Sequence, residues 1–217
     1  MRLQKNQIAR SAMLLALSAV AGSSFATELD ELVERAALHV SRLNGDYGFT
    51  TLQSCVRTPY QQPPAQGIDP VTLKFLVPGE AAEAVGSGVM TFSRDGSVTA
   101  DVQGAELSVN RLAVGQAAAA SGIKYSCSGN YTVDADSRLV VNFPSCTVNT
   151  GNPNAVVTVA PLNYTGFVGV GKQALTLSLV DGLLQSVSVA DASGNKTLER
   201  QRLCIQSMSL TKLPAHR

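Results

Sequence analysis

The chain of 217 residues contains no tryptophan and only two histidines. Histidine is the side chain best placed to move a proton near neutral pH, so a Ser-His-Asp or Cys-His arrangement has poor raw material here. His39 sits on the edge of an apolar helical stripe and His216 lies near the C-terminus, far from it in sequence. Aromatic residues make up 5% of the chain, low for a dedicated reader of sugar or nucleotide rings. Charge of neither sign is in excess, with a formal net of +1, and nothing favours nucleic acid or an anionic membrane surface. Beyond the N-terminal segment no apolar run approaches the roughly 20 residues of a spanning helix. Cysteine is sparse as well: there are four, with no C-x-x-C spacing, which argues against a zinc or dithiol redox site.

What is present begins with a leader. Residues 1–26 carry a basic start (Arg2, Lys5, Arg10), a short apolar run over 12–21 and Ser24-Phe25-Ala26 as a small-x-small cleavage site. This is the layout of a secretory signal peptide, and it predicts a periplasmic or secreted protein. Loss of those three basic residues takes the 17 basic residues to 14, against 16 acidic. The mature chain opens at Thr27 with acids in the first turn. Leu29, Leu32, Val33, Ala36, Val40 and Leu43 recur at helical spacing, and Asn44-Gly45 supplies a stop. The spacing predicts an amphipathic helix over 27–44.

From Asp46 onward the period changes to two. Tyr47 and Phe49 alternate with Gly48 and Thr50. A polar, proline-broken loop over 61–70 is followed by a short strand at 71–77. Residues 88–94 and 97–103 flank Asp95-Gly96, a strong hairpin signal. A central hairpin joins 125–133 to 139–143 across Asp134-Ala135-Asp136-Ser137. Further strands are expected at 156–159, 165–170, 173–180, 183–190 and 197–210. Consecutive strands joined by tight turns predict an all-β fold. The expectation is a small antiparallel up-and-down barrel of about eight to ten strands spanning 45–210, with a tail at 211–217. A two-sheet sandwich is the alternative.

Four cysteines in an exported chain point to two disulfides with three possible connectivities. In a closed meander the first and last strands are neighbours, which pairs Cys55 with Cys204 and leaves Cys127 to pair with Cys146. Facing positions that sum to 273 would then set Tyr131 against Asn142, mixing an apolar with a polar face. A bulge near Pro144-Ser145 resolves the conflict.

Three segments carry a resemblance: Leu43-Asn44-Gly45-Asp46-Tyr47-Gly48-Phe49, the run from Gly88 through Asp95-Gly96 to Val98, and Gly129-Asn130-Tyr131-Thr132-Val133. Together they resemble a group of uncharacterised exported bacterial proteins of lipocalin-like type. The resemblance implies a barrel and no particular activity. Lipocalins more broadly open their first strand with Gly-x-Trp, and an arginine from the last strand packs over the ring. Gly45-Asp46-Tyr47 occupies the matching place, and Arg200 or Arg202 would supply the cation.

Paired acids such as Asp134/Asp136 and Asp181/Asp191 fall in turns, where they bond their own backbone. The glycines from Gly166 to Gly171 lack the Lys-Ser/Thr of a phosphate loop and open no helix. The chain is therefore read as non-catalytic, with no cofactor. The leading expectation is a barrel that binds a small apolar molecule against Phe92, Tyr131, Phe143, Leu175 and Leu177, with Val141 and Leu179 beside them. A second is an envelope interaction protein with a solid core, using loops 61–70 and 104–120. A third, a barrel isomerase or cyclase, has no residue evidence. An interior below roughly 300 Å³ would exclude a drug-sized guest.

Overall fold

The structure, a computed structural model, describes residues 42–109, 119–152 and 154–214. The expected leader and most of the expected helix at 27–44 lie outside the described residues. Arg42, Leu43 and Asn44 are described and are not helical. Leu43 instead is fully buried, and its carbonyl oxygen meets the Tyr131 hydroxyl at 2.8 Å.

Ten strands follow: β1 (Gly45–Arg57), β2 (Glu80–Phe92), β3 (Ser97–Val109), β4 (Ala119–Val133), β5 (Arg138–Val148), β6 (Ala155–Ala160), β7 (Leu162–Val168), β8 (Ala174–Leu179), β9 (Leu184–Asp191) and β10 (Lys196–Lys212). Every pairing is antiparallel, and β1 also pairs with β10, so the sheet closes on itself. β6 and β7 form one stave interrupted at Pro161, and both lie against β5. β8 and β9 likewise form one stave, broken by the turn at Asp181-Gly182, and both lie against β10. The result is an eight-stave, closed, up-and-down barrel rather than a sandwich. Closure removes the sheet edges that would otherwise template aggregation.

Alternation decides which side chains enter. Tyr47, Phe49, Met90, Phe92, Val98, Ala100, Tyr131, Leu139, Val141, Leu175, Leu177 and Leu210 pack one half of the interior. Phe92 stands edge-on to Tyr47 and Tyr131, with ring centroids 5.4 and 5.0 Å away, a geometry that suits the ring quadrupoles. The Tyr47 hydroxyl reaches the Lys172 carbonyl oxygen at 2.9 Å, so this end is sealed by loop backbone.

Tight coiling needs places where staves nearly touch. A Cβ at Gly166 would fall inside the van der Waals envelope of the Thr176 carbonyl oxygen, and one at Gly129 would meet that of Asn142. Gly129 stands alone opposite Phe143 and Pro144, because Ser128 pairs with Ser145 whereas Asn130 pairs with Asn142. That is the expected bulge. It turns Pro144 and Ser145 both outward and returns Cys146 to the interior. Both expected disulfides are formed, Cys55–Cys204 across the β1–β10 seam and Cys127–Cys146 across β4–β5.

Residues 71–77 hold no strand, only an isolated bridge between Ile68 and Phe75. Asp69 is the reason: its Oδ1 accepts the backbone N–H groups of Val71 and Thr72, and Leu73 takes a left-handed φ of 55°. A side-chain turn has outcompeted the ladder. The 61–70 segment is not a free loop either, since Ala65 and Ile68 are buried. Glu199 fastens it, accepting the Ala65 N–H at 3.0 Å along with the Ser186 and Ser188 hydroxyls.

The Ser186 hydroxyl first, against an opposing burial effect and with help from the Ala65 N–H, holds the Glu199 carboxyl below its usual value. A depressed folded-state pKa means stability that is full above the unfolded value, about 4.3, and lost as pH falls through the folded one. Amide exchange around Ala65 is therefore expected to accelerate as pH drops below that window, after correction for intrinsic rates. Glu199→Gln should flatten the dependence, and an unchanged profile in the variant would sink the assignment.

Candidate functional site

The other half of the interior is polar. Along β10 the inward positions run Arg200, Arg202, Cys204, Gln206, Met208, Leu210, and along β1 they run Arg57, Cys55, Gln53, Thr51, Phe49, Tyr47. Register pairs Arg57 with Arg202 and Cys55 with Cys204, so two guanidinium-bearing residues sit on adjacent staves one inward position beyond the seam disulfide.

Arg57 is well provided for. Its Nε bonds Glu80, Nη1 bonds Glu106 and Nη2 bonds the Ser108 hydroxyl, and the residue is 4% exposed. Burial pushes its pKa down, but the carboxylates of Glu106 and then Glu80 outweigh burial and raise it. Arg200 shares Glu80 at 3.8 Å and lies over the Tyr60 ring, 4.5 Å from its centroid. Burial lowers the Arg200 pKa, and its Nε has no hydrogen-bond partner.

Arg202 differs from both. It is 3% exposed, and among the described residues no carboxylate lies within ion-pair distance. Its Nε donates to Gln185 Oε1 at 2.8 Å, from the facing position on β9. Gln185 is fully buried, and its Nε2 finds no acceptor. The amide cannot be turned over to mend this, because that would set its NH₂ against the Arg202 N–H.

Arg202 borders an interior cavity of about 50 Å³ that reaches the apolar half. Arg202, Gln53, Thr51 and Gln206 contribute polar groups to its lining, and Met90, Phe143, Leu162 and Met208 contribute apolar ones. Its polar wall is ordered: Tyr164 donates its hydroxyl to Gln206 Oε1 at 3.0 Å, and Gln206 Nε2 donates to Thr51 Oγ1 at 2.8 Å. Burial drives the Tyr164 pKa well upward, so its proton stays in place.

Of the residues expected to meet a ligand, Phe143 alone lines this cavity, stacked edge-on to Tyr164 with ring centroids 6.3 Å apart. Phe92, Tyr131, Leu175 and Leu177 are buried in the apolar core and do not line it, as are Val141 and Leu179. The cation over Tyr47 is Lys212, with Nζ 6.0 Å from the ring centroid, and not Arg200 or Arg202. Register is the cause: Tyr47 faces Lys212, whereas Arg202 faces Arg57, ten residues further along β1. Residues 104–109 and 119–120, expected to be loop, belong to β3 and β4.

The Arg57–Glu80–Glu106 cluster went unseen, and Arg200 and Arg202 were considered only as the cation over Tyr47. The phase of Cys204, Met208 and Leu210 would have found Arg200 and Arg202, since all five share one face of one strand. No protein-family model matches the chain, and no curated protein matches it.

Proposed function

We propose that the protein is an exported, non-catalytic, lipocalin-like barrel that binds a compact small molecule in its interior cavity. The observation that carries the reading is the interior cavity itself, whose lining combines an ordered set of polar groups with apolar side chains. Binding cavities pair predominantly apolar walls with a few fixed polar groups in this manner. The size narrows the guest. A water needs about 10–15 Å³ by the same kind of measure, so the space holds a few heavy atoms and not a drug-sized molecule. The reading of export rests on the leader-like first 26 residues and on two disulfides, which persist in oxidising compartments. The non-catalytic reading rests on the lining, where arginine cannot act as a base and the buried Tyr164 keeps its proton.

A second reading has its own observation. Leu52, Val85, Leu107 and Ile205 point outward from β1, β2, β3 and β10, are 65%, 56%, 40% and 68% exposed, and line a surface groove. Apolar patches of this kind mark contact surfaces. An envelope interaction protein would use this face rather than the loops.

Saturation-transfer NMR on the purified protein, with a panel of compounds of a few heavy atoms, tests the first reading. Saturable transfer to at least one compound is expected. No transfer to any of them, together with a clean apo mass in native mass spectrometry of protein from its own exported fraction, would overturn it in favour of the second.

A further inference from the structure

Resting on the reading of a small-molecule cavity, we propose that its ligand is a short aliphatic monocarboxylate, held by Arg202. Four observations converge.

First, Arg202 is a buried, permanently charged group with only a neutral amide as partner. Arginine does not escape burial by giving up its proton, so the charge needs an anion, and a buried charge without one is strongly unfavourable. Second, the neighbouring acids are already engaged. Glu106 and Glu80 are bound to Arg57, and Glu80 is shared further with Arg200. Three inward arginines against two inward carboxylates leave this half of the barrel one positive charge in surplus, which calls for a monoanion and not a divalent oxyanion. Arg57 on the facing position adds like-charge repulsion that an anion would relieve.

Third, the unsatisfied groups have one sign. The buried side-chain polar atoms without partners among the described residues are Gln185 Nε2 and Arg200 Nε, both donors. Neither residue lines the cavity, but Gln185 is the partner that holds Arg202, so the surroundings of Arg202 are short of acceptors, and a carboxylate supplies acceptors only. A neutral alcohol or amide would bring further donors. Fourth, besides Thr51, Gln53, Gln206 and Tyr164, the cavity that Arg202 lines is walled by apolar side chains including Met90, Phe143, Leu162 and Met208, which suit a short alkyl chain behind the head group. The volume of about 50 Å³ limits that chain to a few carbons.

Butyrate and its neutral near-isostere butyramide are the probes, titrated into the disulfide-bonded protein by calorimetry and by saturation-transfer NMR. Butyrate should bind the unmodified protein tenfold to hundredfold more tightly than butyramide, in line with hydrogen bonds to a charged group. Arg202→Met should abolish that preference, while Arg202→Lys, which keeps the charge and loses the planar fork, should retain part of it. Equal affinity for the two probes in the unmodified protein would overturn the assignment of an anion and leave the cavity reading standing. Binding of neither probe would overturn this inference, and silence from the wider panel would overturn the cavity reading as well. The comparison of probes on the unmodified protein needs no variant to fold. A folded Arg202→Met protein that still prefers butyrate would place the anion elsewhere and overturn the role of Arg202.

Discussion

A protein lacking the Cys55–Cys204 bridge is expected to lose about 5 kcal/mol of stability, against about 3 kcal/mol for one lacking Cys127–Cys146. The difference comes from loop length. The seam bridge joins residues separated by 149 positions and the hairpin bridge joins residues separated by 19, and the entropy of closing a loop grows with its logarithm. Topology gives the same order. β1 and β10 are the first and last staves of the chain, and their pairing closes the cylinder. Without the bridge the unfolded chain must bring its two ends together unaided. Cys127 and Cys146, by contrast, already lie in a hairpin that a local turn nucleates. Urea unfolding of Cys55→Ser/Cys204→Ser beside Cys127→Ser/Cys146→Ser would measure both. At a domain of this size the seam variant should melt about 10–20 °C lower than the parent. An equal or larger loss in the hairpin variant would show that closure of the seam is not what the longer bridge secures.

How the chain announces its fold can be traced residue by residue. Asp95-Gly96 and the strict alternation of Leu175, Leu177 and Leu179 were sufficient to place a hairpin and a stave, because turn chemistry and period are local properties. Pairing of the cysteines followed from closure, and a bulge near Pro144-Ser145 followed from the pairing, since without it one face would mix polar and apolar residues; the structure sets it one residue earlier, at Phe143-Pro144. Legibility ended where tertiary context overrides the local pattern. Residues 71–77 read as a strand by composition, yet Asp69 captures their first N–H groups. The polar interior was hidden for a different reason. Arg57, Glu80, Glu106 and Arg202 are residue types that almost always face water, and only their in-phase neighbours reveal that they face in. The sheet makes this possible, because charges distant in sequence satisfy one another across neighbouring staves. Glu80 and Glu106 stand 23 and 49 residues from the arginine they share. The candidate site therefore lay in the phase of two strands and not in any motif, which is why the apolar residues chosen from sequence mark the packed end and Phe143 alone reaches the cavity.

Replacement of Arg57 by methionine is expected to cost about 3–5 kcal/mol, the usual loss when one partner of a buried ion pair is removed. The loss would not be that of a contact alone. Glu106, whose side chain is 13% exposed, would be left charged with no cation of its own, while Glu80 at 28% keeps Arg200 and some water. The burden should thus fall on Glu106. Arg57→Met/Glu106→Leu tests this, because it removes the orphaned charge together with its former partner. If orphaning is the cause, the double variant recovers most of the stability lost by Arg57→Met, and the cycle gives a large coupling between the two positions. Urea midpoints of the parent, the two single variants and the double variant supply the comparison. Simple additivity of the two losses would mean that Arg57 acts by packing its aliphatic stem, and the ion-pair account of this end of the barrel would fall. The same variants bear on Arg202. Arg57→Met removes the like charge on the facing position and brings the balance to two arginines against two carboxylates, whereas the double variant loses one charge of each sign and keeps the surplus. Butyrate should bind the double variant about as tightly as the parent and Arg57→Met more weakly, even though no atom of the proposed Arg202 contact has changed in either. Undiminished binding to Arg57→Met would show that Arg202 alone, and not the charge balance of the whole cluster, sets the demand for an anion.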